Sequence, residues 1–222
     1  YRYDGLGRRI EKVANGQTKR YVYDGEDILL EYDGANVLQA RYTHGPGIDE
    51  PIAVTKGSST FFYHQDGLGT VTELTDINGS VAKAYAYDAY GTILESPGTV
   101  DQPYTYTGRE LDAETGLYYY RARYYDAATG RFLQQDPGSA GINSARLPRH
   151  PLDLVAQYVY AADNPIRLID QFGNEPQELG GVGVEACKYY DDVARVNGCK
   201  YHPYAKEYCE QPKRNPCIRA LA

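Results

Sequence analysis

The sequence predicts a mainly β protein: a repeating antiparallel β-sheet with a small α-helical C-terminal appendage. Three observations carry this reading. The phrase Tyr-x-Tyr-Asp-Gly returns about every twenty residues, and a fixed period of that size marks stacked supersecondary units that cannot bury their apolar faces alone. Between the phrases lie runs of five or six β-branched and aromatic residues, bounded by Asp-Gly, Asn-Gly or Gly-Ala. Aromatic usage is lopsided, with 24 Tyr against 4 Phe and no Trp. Tyr has an apolar body and a polar tip, which suits a sheet with one dry and one wet face.

The repeat begins at Tyr1-Arg2-Tyr3-Asp4-Gly5 and returns at Tyr21-Val22-Tyr23-Asp24-Gly25. Decayed copies follow at Tyr42-Thr43-His44-Gly45 and Tyr63-His64-Gln65-Asp66-Gly67, then a clear one at Tyr85-Ala86-Tyr87-Asp88. The Asp or His positions 4, 24, 44, 66 and 88 are 20, 20, 22 and 22 apart. Strands are expected at Arg20–Tyr23, Ile28–Tyr32, Val37–Tyr42, Val71–Asp76 and Ser80–Tyr85. Asn15-Gly16, Asp33-Gly34, Asp66-Gly67 and Asn78-Gly79 are read as two-residue hairpin turns, because Asn, Asp and Gly tolerate positive φ. No helix is expected before about residue 152.

The chain of 222 residues has no Met and starts inside a repeat, so it reads as a piece of a longer array. No apolar run reaches the ~18 residues of a membrane span. Residues 1–174 hold 16 Lys+Arg and 23 Asp+Glu, a balance that opposes phosphate contacts and argues against nucleic acid. Residues 175–222 hold 7 of each, which puts a boundary near 174. The expected domains are a repeat sheet over 1–103, a distinct segment over 104–174 and a variable C-terminal module over 175–222.

From Tyr104 the wording changes to Thr107-Gly108-Arg109-Glu110, then Gly116-Leu117-Tyr118-Tyr119-Tyr120-Arg121-Ala122-Arg123-Tyr124-Tyr125-Asp126, Gly130-Arg131-Phe132 and Asp136-Pro137. Tyr158-Val159-Tyr160 and Asn164-Pro165 follow. This stretch resembles the Rhs repeat-associated core, the end of the Rhs or YD-repeat proteins. That family includes bacterial polymorphic toxins, the C component of insecticidal toxin complexes, and teneurins. The resemblance covers about residues 1–173. It implies that the sheet spirals into a hollow shell, that the core plugs one end, and that the segment beyond is an enclosed toxin-like module. The implied partners are the N-terminal remainder of the same chain, an immunity protein and secretion machinery, with a secreted or cell-surface location. The alternative is a surface or wall-associated YD-repeat adhesion protein with neither toxin nor protease activity.

The same resemblance implies the chemistry. In similar proteins two Asp residues form an aspartic-protease-like pair that cuts the chain just past the second, and they match Asp136 and Asp170 here. Two carboxylates held together share a proton, so one serves as base and the other as acid. The family motif Asp-Pro-x-Gly-Leu reads Asp170-Gln171-Phe172-Gly173-Asn174, which puts the scissile bond after Asn174. With Asn in place of Leu, the pair is expected to persist while cleavage is slow or absent. Arg109, Arg121, Arg123 and Arg131 are read as structural, pairing with Asp112, Glu114 and Asp126. His44, His64, His150 and His202 show no metal-type spacing, and no cofactor is expected.

In the tail, residues 183–197 read as an amphipathic helix and a second short helix runs from Pro203 to before Pro212. Cys187, Cys199, Cys209 and Cys217 are all of the chain's cysteines. They are read as two disulfides stapling a helical hairpin, with free thiols and a zinc site using His202 as rivals, although the spacings of 12, 10 and 8 contain no Cys-x-x-Cys pair.

Overall fold

The computed structural model describes residues 1–137, 157–174 and 177–178. Residues 1–176 form one compact unit and 177–222 a second. The two tail helices and all four cysteines fall outside the described residues, as do His150 and His202.

The first unit is built on a nine-stranded sheet in simple sequence order. Its strands are β1 (Arg2–Tyr3), β2 (Arg9–Ala14), β3 (Gln17–Asp24), β4 (Asp27–Asp33), β5 (Leu38–His44), β6 (Pro51–Lys56), β7 (Ser59–Gln65), β8 (Val71–Thr75) and β9 (Val81–Ala84). A short hairpin of β10 (Ala86–Tyr87) and β11 (Ile93–Glu95) follows. A four-stranded sheet comes next, made of β12 (Glu110–Asp112), β13 (Leu117–Tyr120), β14 (Arg123–Asp126) and β15 (Arg131–Phe132), and β16 is Leu168–Ile169. Every pairing in these three sheets is antiparallel. The described residues hold no α-helix, and 3-10 geometry occurs at Tyr106–Gly108, at Ala161–Asp163 and at Pro137. The antiparallel β reading therefore holds.

The turns correct the expectation of two-residue hairpins. Only Asn15-Gly16 behaves that way, with φ of +50° and +74° and Ala14 paired to Gln17. After Asp4, Asp33, Asp66, Asp76 and Asp88 the chain instead takes one repeated longer turn. In each, Oδ1 of the Asp accepts the backbone N–H groups two and four residues ahead at 2.8–2.9 Å. The positive φ falls three residues after the Asp, at Gly7, Asn36, Gly69, Gly79 and Gly91. A carboxylate that caps two amides outcompetes the tight turn that the Asp-Gly dipeptide favours in isolation.

Immediately before Asp4, Asp24, Asp33, Asp66, Asp76 and Asp88 the strand register slips by one residue. Such bulges bend a strand and increase its twist. The repeated phrase thus encodes a bulge followed by a turn, and this curves the sheet at regular intervals.

The first tyrosine of successive copies faces the core. Tyr21, Tyr42 and Tyr63 are all buried, with Ile28, Val54, Val71 and Leu74 between them. Tyr104 closes this row, meeting Tyr42 and Tyr63 edge-on at centroid distances of 5.4 and 6.2 Å. A second core gathers Tyr106, Tyr118, Tyr120, Tyr125, Phe132 and Tyr160, joined by edge and tilted ring contacts. Its hydroxyls are satisfied internally: Thr107 Oγ1 lies 2.6 Å from the Tyr120 hydroxyl, which donates to the Tyr160 hydroxyl at 3.1 Å. The tyrosines serve packing, as the composition implied.

Candidate functional site

Buried ion pairs hold residues 104–126 against the nine-stranded sheet. Arg9 of β2, 1 % exposed, meets Glu110 at 2.7 Å and Asp112 at 2.6 Å, and lies over the Tyr119 ring. Lys12 reaches Asp112 and Glu114. Burial alone would pull the Arg9 guanidinium down, but the two carboxylates hold it well above its ordinary value. Opposite, Asp49 sits at φ +63° and gathers two cations. Arg109 Nη1 donates to its Oδ1, and Arg121 donates to both its oxygens at 2.9 and 3.1 Å.

These partners differ from the ones expected. The arginines of the core segment are structural, but Arg109 and Arg121 pair with Asp49, while Asp112 and Glu114 are taken by Arg9 and Lys12. Asp126 is unavailable to Arg123 because its carboxylate caps its own turn through Ala128 N–H and the Thr129 hydroxyl. Successive side chains of a strand point to opposite faces, so the buried guanidiniums find carboxylates across the layers rather than beside them along the chain.

Arg123 is the centre of the candidate site. It is 2 % exposed and its guanidinium stacks 3.6 Å from the centroid of Phe132. Its Nη2 lies 3.2 Å from Asp136 Oδ2 and 3.0 Å from Asp170 Oδ2. The two carboxylate oxygens, sharing one nitrogen at those distances, are at most about 6 Å apart, within reach of a bridging water. Nη1 donates to Gln157 O at 3.1 Å and Nε donates to Gly173 O. Burial pulls the Arg123 guanidinium below its ordinary value, and the two carboxylates oppose that pull. The structure thus brings together Asp136 and Asp170, 34 residues apart in sequence, but with a cation between them.

Local structure explains both placements. Asp136 follows β15, where Phe132 N–H donates to Tyr158 O and Asp136 N–H donates to Gln157 O. Asp170, 1 % exposed, follows β16 and repeats the turn of the YD phrases. Its Oδ1 accepts the Asn174 N–H at 2.9 Å, Gly173 N–H points to its carbonyl, and Gly173 takes φ +71°. One oxygen of Asp170 therefore fixes the turn and the other faces Arg123. A Cβ on Gly173 would stand 2.4 Å from the Tyr120 carbonyl oxygen, so only glycine lets this turn approach β13.

Asn174 lines a cleft of about 310 Å³ with Arg8, Glu26, Arg121 and Phe172. Residue 175, on the other side of the scissile bond inferred from the sequence, lies outside the described residues. Sequence reasoning missed Asp49 and gave Arg123 the wrong carboxylate partners. The available signal was the pair Arg121 and Arg123 inside a run of tyrosines, since buried guanidiniums demand carboxylate partners. Among the described residues no cluster of His, Cys, Asp and Glu is suited to a metal ion, and no helix is long and apolar enough to cross a membrane.

A family model described as the teneurin YD-shell matches residues 1–166. The tRNA nuclease WapA of Bacillus subtilis is 35% identical over 205 residues, covering 90% of this chain and 8% of that protein. The toxin protein Tse5 of Pseudomonas aeruginosa is 28% identical over 208 residues, covering 78% of this chain and 15% of that protein. Among solved structures, TcdB2-TccC3 superposes with a TM-score of 0.58 at 25% identity, over 78% of this chain and 9% of that one. The chain therefore spans only a small part of the length of the proteins it matches.

Proposed function

Because the chain belongs to the teneurin YD-shell family, we propose that it is the closing end of a YD-repeat shell that encloses or displays a C-terminal toxin-like module at residues 175–222. The observation that carries this reading is the packing of residues 104–126 onto the curved sheet through Tyr104, Arg9–Asp112 and Arg109–Asp49. A segment fastened by buried, charge-specific contacts suits a plug better than a linker. The names of the relatives, a nuclease and a toxin, support the module. On this reading the remainder of the chain lies N-terminal, the whole is exported or surface-borne, and an immunity protein and secretion machinery are its partners. The domains are the shell wall at 1–103, the plug at 104–174 and the module beyond.

Asp136 and Asp170 are the residues of a weakened self-cleavage site. In the forward step one carboxylate takes a proton from water, and the resulting hydroxide adds to the Asn174 carbonyl carbon. The other carboxyl group gives a proton to the Glu175 nitrogen as the C–N bond breaks, leaving an Asn174 carboxylate and a free Glu175 amine. The Arg123 guanidinium compensates both negative charges, which removes the pressure on the pair to share the proton that this step needs. Asn174 has replaced the apolar side chain of the related motif, and misplacement by about an ångström costs up to a hundredfold in rate. Intact-mass spectrometry of the purified chain tests this. The wild type should remain whole over days and Asn174→Leu should release residues 175–222, while adding Asp136→Ala should restore the intact mass. Cleavage that survives Asp136→Ala and Asp170→Ala would remove the assignment.

A further inference from the structure

Two tyrosines meet hydroxyl to hydroxyl where the nine-stranded sheet touches the four-stranded one. Tyr3 lies on β1 and Tyr124 on β14, and their phenolic oxygens are 3.0 Å apart. The contact is open to solvent, with Tyr3 46 % exposed and Tyr124 half-buried. Burial, and then the Tyr3 hydroxyl, hold the Tyr124 hydroxyl well above its ordinary value, so it does not ionise by itself near neutral pH. The Tyr3 hydroxyl is the group placed to carry its proton on to water.

Geometry singles this pair out from the other tyrosine contacts. When a tyrosine gives up an electron and its phenolic proton, the unpaired electron spreads over the oxygen and the ring carbons ortho to it. Two such radicals join through their ortho carbons, so the rings best placed to couple are those whose oxygens approach each other. Tyr120 and Tyr160 also bring their hydroxyls together, at 3.1 Å, but both are 0 % exposed and shut away from any oxidant. Tyr1 stacks on Tyr124 at a centroid distance of 5.9 Å, but its hydroxyl is turned to Asp112. Tyr85 stacks on Tyr87 at the same distance, while their hydroxyls go to different partners, Gln102 and the Val71 carbonyl.

We propose that Tyr3 and Tyr124 form a site of oxidative cross-linking, at which hydrogen peroxide acting through a peroxidase joins their ortho carbons in a dityrosine bond. Each ring yields one electron and its phenolic proton, the two radicals form one C–C bond, and the displaced ortho hydrogens restore both phenols. The two electrons and two protons reduce one peroxide to two waters. The link spans 121 positions of the chain and fastens β1 to β14 covalently.

Treating the full chain with a haem peroxidase and limiting hydrogen peroxide tests the proposal. The monomer should lose two hydrogens in intact mass, gain dityrosine fluorescence, and yield on digestion a linked peptide pair containing Tyr3 and Tyr124. Its urea midpoint should rise, because the link closes a long loop and so takes freedom from the unfolded chain. Tyr3→Phe and Tyr124→Phe should each remove the linked peptide, with the thermal midpoint confirming the fold. Tyr158→Phe, at a tyrosine 37 % exposed, should leave it in place. The absence of a linked peptide, links that join separate chains only, a link between other tyrosines, a link that survives Tyr3→Phe, or an unchanged urea midpoint in the linked chain would overturn the proposal.

Discussion

Replacing Arg123 by Met removes the one group that joins Asp136, Asp170 and the turn carrying Asn174. The side chain is 2 % exposed, contacts two carboxylates, and donates to the Gln157 and Gly173 carbonyls. Met preserves much of the apolar volume over Phe132 but leaves Asp170, 1 % exposed, as a buried charge beside a second carboxylate. Removing one partner of a buried ion pair costs roughly 3–5 kcal/mol, mostly as the desolvation of the charge left behind. Urea unfolding at pH 7 should show this as a midpoint lower by about 1–2 M, given slopes of about 2–3 kcal/mol/M for a unit of this size. Adding Asp170→Asn to Arg123→Met should recover part of the loss, because the two positions are in contact and their effects are not additive. A loss below about 1 kcal/mol at pH 7, or strict additivity in the double variant, would refute the view that this cluster fastens the core.

Two more outcomes follow from the same geometry. Gly173→Ala should cost at least about 2 kcal/mol, since it combines a left-handed φ with a Cβ 2.4 Å from the Tyr120 carbonyl oxygen. Gly79→Ala, at φ +80° with open space around its Cβ, should cost only about 1 kcal/mol, and equal urea midpoints would contradict the close approach. Burial pushes the hydroxyls of Tyr1, Tyr119 and Tyr160 up to about 12, against about 10 in the unfolded chain. The native state keeps protons that the unfolded state loses, so this contribution is fully present below about pH 10 and is lost as pH rises through about 12. Part of the absorbance at the tyrosinate band should therefore rise only together with unfolding, whereas ionisation of all 24 tyrosines in a chain that is still folded would contradict it.

Much of this fold could be read from residues because the repeat is local. The alternation of Tyr21, Tyr42 and Tyr63 with β-branched residues sets which face is dry, and the recurrent Asp sets where each strand ends. The kind of turn could not be read from the dipeptide, because Asp66-Gly67 and Asn78-Gly79 are overruled by Asp carboxylates bonding two and four residues ahead. The bulges before each Asp leave no separate mark, since a register slip depends on both strands of a pair. Asp136 and Asp170 emerged from motif likeness, and nothing in their spacing announces that they meet. The meeting is made by Arg123, whose partners were misassigned to nearby acids because layer-to-layer contacts have no periodicity along the chain. Asp49 is hidden for the same reason: a loop residue 60 positions from Arg109 carries no local signature.

Whether residues 104–174 plug a closed shell is tested most directly by an electron cryomicroscopy map of the full-length parent protein. The map should show a hollow antiparallel shell with these residues folded inside one end, Arg123 between Asp136 and Asp170, and residues 175–222 starting from the interior. An open sheet with residues 104–174 on its outer surface, or with residue 175 emerging directly into solvent, would contradict it.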